Sequence, residues 1–247
     1  MKLRPEVWLF WVRLRWMTDK TGMAEYGLSS FYLKIIAVVT MLVDHIGMVF
    51  FSGEVAWRIV GRISFPIYCF LLVEGFYHTS NIKKYIRRLL IFAAVSEIPF
   101  DMIISGKVVD FAHQNVMFTL LIGLITIYGI QVTWNPMVKS AILVAGALIS
   151  VIMFTDYSAY GVVLIYMFYN YRDRRVVTYV ALVAMSFAMN NIQGAASLAV
   201  IPLLLYNGSK GPKIGDSKIC KYGFYLIYPL HMCLFAAFKI AEGRITW

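Results

Sequence analysis

Charge is what this sequence has least of. Of its 247 residues 15% are Asp, Glu, Lys or Arg and 60% are hydrophobic, whereas a soluble globular chain is typically about 25% charged and 45–50% apolar. That scarcity excludes a large soluble domain and predicts an integral membrane protein. Cysteine is scarce as well. Cys69, Cys220 and Cys233 are odd in number and show no C-x-x-C spacing, which excludes a disulfide framework and a cysteine zinc site. No internal repeat of the kind that marks many transporters is present. No two of the four histidines stand at i, i+4, as a helical metal pair would, so no metal is expected.

What is present is apolar sequence in runs. Nine can be drawn, at roughly 33–52, 57–78, 85–104, 116–132, 137–155, 159–171, 175–190, 194–206 and 221–240. A helix needs about 20 such residues to cross a bilayer, so the shorter late runs are expected to tilt or re-enter. The net charge of +10 lies in short segments between the runs, which points to topology rather than a nucleic-acid partner. Lys2, Arg4, Arg13, Arg15 and Lys20 precede the first run. Lys83, Lys84, Arg87 and Arg88 follow the second, Lys139 lies near the fourth, and Arg172, Arg174 and Arg175 follow the sixth. Lys210, Lys213, Lys218 and Lys221 follow the eighth. By the positive-inside rule this alternation predicts a cytoplasmic N-terminus and a C-terminus outside. The opening MKLRPEVWLFWVRLRWMTDK has too short an apolar core for a signal peptide and no convincing cleavage site. It reads as an amphipathic helix on the inner leaflet. The expected organisation is a cytoplasmic-face segment, 1–30, and an all-α polytopic membrane bundle of about nine spans, 31–247.

Against that apolar background the ionisable residues stand out. MLVDHIGMVF sets Asp44 and His45 inside the first run, where a charged residue costs about 2.5–3.5 kcal/mol to insert. Such residues mark function or hold helices together through interhelical hydrogen bonds. Arg58 and Arg62 in the second run, and Glu97 and Asp101 in the third, are each four apart and so share a helix side. Pro99 between the two carboxylates predicts a kink. His113, Gln114 and Asn115 open the fourth run, Asp156 and Tyr157 close the fifth, and Asn190, Asn191 and Gln193 crowd the seventh connection. Helical rise puts most of these groups in the outer half, which predicts a polar cavity opening outward. A competing reading has Arg58 and Arg62 neutralise Glu97 and Asp101 in a scaffold. Glu74 and His78 fall toward the inner side and His231 near the midplane, so a polar track joins the basic face to the outer cluster. For His78 a plain interfacial residue is the alternative.

A histidine oriented by a carboxylate serves as general base; Asp44, Glu97 or Asp101 are candidates for that orienting role. Arginines beside it bind an anionic group or steady an oxyanion, and basic residues on the cytoplasmic face hold phosphates. These parts suit acyl transfer from a cytosolic thioester. The stretches LKIIAVVTMLVDHIGMVF, WRIVGRISFPIYCFLLVEGFYHT and RRLLIFAAVSEIPFD resemble the TraX family, named for the conjugative-transfer protein that N-acetylates F-pilin. KYGFYLIYPLHM, with Tyr228 and His231, is similar to that family's last shared segment.

The resemblance implies a multi-pass acetyltransferase of the bacterial inner membrane, distantly similar to the acyltransferase-3 and heparan-glucosaminide acetyltransferase groups. It implies acetyl-CoA as co-substrate. Asp44 and His45 occupy the family's Asp-His motif, Arg58 and Arg62 its arginine motif, and Glu97 and Asp101 its E-x-P-F-D motif. Substrate contacts are expected from Arg58, Arg62, Glu74, His113, Asn115, Tyr228 and His231, and cofactor contacts from Lys83, Lys84, Arg87 and Arg88. The acceptor is open among amines and hydroxyls of a peptide, glycan or lipid. Direct transfer and an acetyl-histidine route both remain, as does a homodimer. The rival is a proton-coupled transporter using Asp44, Glu74 and Glu97.

Overall fold

A computed structural model describes residues 27–189, 191–212 and 217–243; most of the expected amphipathic segment, together with Asn190 and Lys213, lies outside them. Regular structure among these residues is helical. In chain order the helices are α1 (Ser30–Phe50), α2 (Val55–Gly61), α3 (Ser64–His78), α4 (Ile82–Ile104), α5 (Val116–Val132), α6 (Pro136–Ile152), α7 (Ser158–Asn170), α8 (Arg175–Met189), α9 (Asn191–Gly194), a 3-10 turn (Ala195–Ala199), α10 (Val200–Leu204) and α11 (Lys218–Ala241).

Their starts follow from local chemistry. Ser29, Asn81, Asn115 and Asn135 each precede a helix and accept a hydrogen bond from a backbone N–H of its first turn, which satisfies a donor the helix itself cannot. Three helical stretches, Ser30–Phe50, Val55–His78 and Tyr222–Ala241, are long and apolar enough to cross a membrane. Two expected runs are not single α-helices. The run at 57–78 breaks at Arg62 and Ile63, between α2 and α3. The run at 194–206 becomes a 3-10 turn and a short helix, with Pro202 withholding a backbone donor.

α5 buries ten of its seventeen residues and is apolar on all sides, as a central helix must be. α6 buries only Gly146 and Ser150 and exposes Val144, Leu148 and Ile152, so it lies at the rim. α1, α4 and α11 run parallel. Phe31 meets Phe224 at one end of the α1–α11 pair and Phe50 meets Phe235 at the other; Phe92 stacks on Tyr225 while Lys239 donates to the Ile103 carbonyl.

The turns gather at two ends. One, here the basic end, joins residues 27–30, 78–82, 170–175 and 205–212. There Leu28 bridges Tyr206 and Asn207 donates to the Gly27 carbonyl. The opposite end joins 51–54, 105–115 and 153–157, tied by the Gln114–Thr155 bridge.

Candidate functional site

Asp44 and His45 leave α1 in different directions, as neighbours on a helix do. Asp44 faces α2. The two helices come close because Gly47 receives Trp57 and Gly61 receives the Asp44 carboxylate; a Cβ on either glycine would overlap those atoms. Asp44 Oδ1 then lies 3.5 Å from Arg58 Nε and 3.6 Å from Arg62 Nη2. The competing reading, in which these arginines neutralise Glu97 and Asp101, does not match the structure: the glycine contact brings Asp44 to them instead. Arg62 Nη1 also donates to the Tyr157 hydroxyl at 3.2 Å. Tyr157 stacks on Phe65 with ring centroids 3.7 Å apart. It stands in a turn where Phe154, Tyr157 and Ser158 all adopt positive φ, at 50°, 61° and 42°, a costly arrangement for residues other than glycine.

His45 meets α11. Its Nδ1 is 2.8 Å from His231 Nε2, and the rings stack at 4.8 Å. His231 Nδ1 lies 2.7 Å from the Ile227 carbonyl oxygen. A carbonyl only accepts, so His231 Nδ1 carries its proton and a neutral His231 offers Nε2 as acceptor. His45 Nδ1–H donates to it, which leaves the lone pair of His45 on Nε2, the tautomer a general base requires. The partner that orients His45 is thus a histidine rather than Asp44, Glu97 or Asp101. Pro229 lies inside α11, two residues before His231. Tyr228 closes it edge-on, 6.3 Å from His45 and 5.5 Å from His231.

The other expected carboxylates form a neighbouring polar layer at the opposite end. Glu97 Oε2 accepts from Asn115 through its backbone N–H and its Nδ2, while the same Nδ2 donates to the Ala93 carbonyl in the helix leading to Pro99. Asp101 accepts from the backbone N–H of Asp110 at 2.8 Å. His113 lies 3.7 Å from Asp156 and in contact with Phe100. The Asp156 carboxylate beside it holds its pKa above the ordinary value, against partial desolvation. Thr119 donates to the Asp156 carbonyl.

Glu74 belongs to the basic end. Arg172 Nε and the Tyr206 hydroxyl each donate to it at 3.0 Å, and Arg172 lies over the Tyr77 ring. His78 is exposed and donates to the Glu74 carbonyl, closing the last turn of α3. A cavity of about 410 Å³ begins beside them. Lys34, His78, Arg88 and Lys210 line its outer part, and Met41, Tyr68, Val116, Met117 and Tyr228 its depth. Of the four cationic residues expected to hold a cofactor, Arg88 lines this cavity, whereas Lys83, Lys84 and Arg87 are exposed. Lys210 was legible only as a member of a basic segment and Lys34 only as a residue of the first apolar run; nothing local in the sequence joins them across the fold.

The profile of the TraX protein family matches residues 29–239. The chain is 30% identical over 241 residues to a probable fimbrial assembly protein FimC, serogroup H1, of Dichelobacter nodosus, covering 86% of this chain and 96% of that one. It is 29% identical over 96 residues to the uncharacterized protein RP591 of Rickettsia prowazekii (strain Madrid E), 39% of this chain and 35% of that one. No solved structure matches. Every segment that carries the site, from Asp44 on α1 to His231 on α11, lies inside the family match, and the chain belongs to the TraX family.

Proposed function

We propose that this protein is a membrane-embedded acetyltransferase that takes its acetyl group from acetyl-CoA on the cytoplasmic side. The basic end faces the cytoplasm, as the positive-inside rule requires. The observation that carries the reading is the His45–His231 pair, which fixes the tautomer of His45 and leaves Nε2 to act. In direct transfer, His45 Nε2 removes the proton of the acceptor amine or hydroxyl as it attacks the thioester carbonyl. The tetrahedral intermediate collapses, the C–S bond breaks, and the CoA thiolate leaves with that proton. In the two-step route His45 itself carries the acetyl group before the acceptor takes it.

Arg58 and Arg62, held by Asp44 and Tyr157, supply fixed positive charge for the substrate or the oxyanion. The fimbrial assembly role named for the Dichelobacter relative favours a peptide acceptor. The transporter reading is weaker: two of its three proposed proton carriers, Asp44 and Glu74, stand in separate ion pairs with arginine.

The test is incubation of purified protein with radiolabelled acetyl-CoA, wild type beside His45→Ala, following CoA release and label on membrane components. CoA release that needs His45 is the expected result. A folded wild type that neither binds acetyl-CoA nor releases CoA would overturn the reading and favour transport.

A further inference from the structure

We infer that the cavity at the basic end is the tunnel for the pantetheine arm of the donor, with Lys34, Arg88 and Lys210 at its mouth holding the CoA phosphates; this rests on the acetyltransferase reading above.

Shape comes first. The cavity, about 410 Å³, is the right kind of space for a flexible arm. On α3 its lining runs from His78 inward to Tyr68, ten residues, or about 15 Å at 1.5 Å per residue. An extended pantetheine arm has comparable length. Its walls are mainly apolar and aromatic, as those of ligand pockets are, with its charged side chains gathered toward the basic end.

Charge comes second. Among the lining residues Glu74 is the sole carboxylate, against three cations, and Arg172 and Tyr206 already engage it. The mouth therefore favours anions. Arg88 is held in place between the rings of Tyr85 and Tyr225, at 5.4 and 5.7 Å from their centroids. Its Nε is buried with no hydrogen-bond partner among the described residues, a donor that a phosphate oxygen would satisfy. Lys34 lies over Phe224.

Direction comes third. Met41, at the deep end, is one helical turn before His45, and Tyr228 separates the cavity from the two imidazoles. An arm that enters between Arg88 and Lys210 delivers its thioester to the side of Tyr228, next to His45. The donor thus reaches the base from within the bundle while the nucleotide stays at the cytoplasmic surface.

Two measurements test this on the purified full chain. The first is acetyl-CoA affinity in wild type, Arg88→Gln and Lys210→Gln, where loss of a charged phosphate contact should weaken binding roughly tenfold. The second is treatment of Met117→Cys with the mixed disulfide of CoA and 2-thiopyridine. The new thiolate attacks the CoA sulfur, thiopyridine leaves, and one CoA adduct beyond the wild-type level appears by intact mass. Acetyl-CoA should block it. If acetyl-CoA binds or turns over but both glutamine variants stay within about twofold of wild type, or Met117→Cys gains no adduct, the cavity assignment is overturned and the acetyltransferase reading stands. Should a folded wild type neither bind nor turn over acetyl-CoA, the reading fails and takes the assignment with it.

Discussion

Among the described residues two carboxylates pair with arginine, and they are bound differently. Glu74 uses both oxygens, one for Arg172 and one for Tyr206, each at 3.0 Å. Asp44 lies 3.5 and 3.6 Å from its two arginines, and its Oδ1 is buried without a hydrogen bond, as is Arg62 Nε. Buried polar groups are nearly always satisfied, and the exceptions cluster where a structure is prepared for something else. Glu74 ties α3 to the turn after α7 and to the end of α10, and its role there is cohesion. Asp44 and its arginines hold charge at longer range beside His45, in a region also marked by the positive-φ turn at Tyr157. An ion pair in an apolar bundle is therefore not by itself a sign of catalysis; the unfinished one is the better candidate.

The largest effect that would sharpen this contrast is at His231. Replacing it by Leu removes the acceptor for His45 Nδ1–H, and turnover should fall by about 100-fold with the acetyl-CoA KM held. His231→Gln, whose side-chain carbonyl accepts the same bond, should recover part of it. If Leu and Gln behave alike, His231 does not act by orienting His45. Gly61→Ala comes next. The methyl group overlaps the Asp44 carboxylate, and overpacking should cost about 1–3 kcal/mol together with turnover, read from melting and CoA release.

Arg172→Ala and Arg62→Ala break the comparison directly. The first leaves Glu74 with one partner and should cost about 1–3 kcal/mol of stability; the second should lower turnover more than melting temperature. The reverse pattern would mean that the roles are exchanged. The smallest effect is at His113, which is about half exposed, so the pair with Asp156 is worth under about 1 kcal/mol. Its pKa is raised in the fold, so its contribution is complete below the ordinary value of 6.5 and vanishes as pH rises through the raised one. His113→Gln should flatten that part of the melting profile.

Much of this was legible because each signal was local. Runs of apolar residues gave helices close to their expected places, except that the run at 57–78 divides at Arg62–Ile63 and the run at 194–206 opens with a 3-10 turn. The chemistry-bearing residues were visible as charges out of place in apolar sequence, and the motifs around Asp44, Arg58 and Glu97 carried the family. Their partners were not visible. His45 and His231 are 186 residues apart, and no spacing rule joins them. Arg58 and Arg62 could have met any of three carboxylates.

Composition and periodicity alone determined that this chain is an apolar helical bundle, which end of it is basic, and which side chains are too polar to face lipid. Only the tertiary structure decided who meets whom. The close approach of α1 and α2 over Gly47 and Gly61 assigns Asp44 to the arginines, and the parallel packing of α1 with α11 assigns His231 to His45. The reason is physical: helix formation is settled by neighbours within four residues, whereas a hydrogen bond between helices depends on which faces the packing turns together.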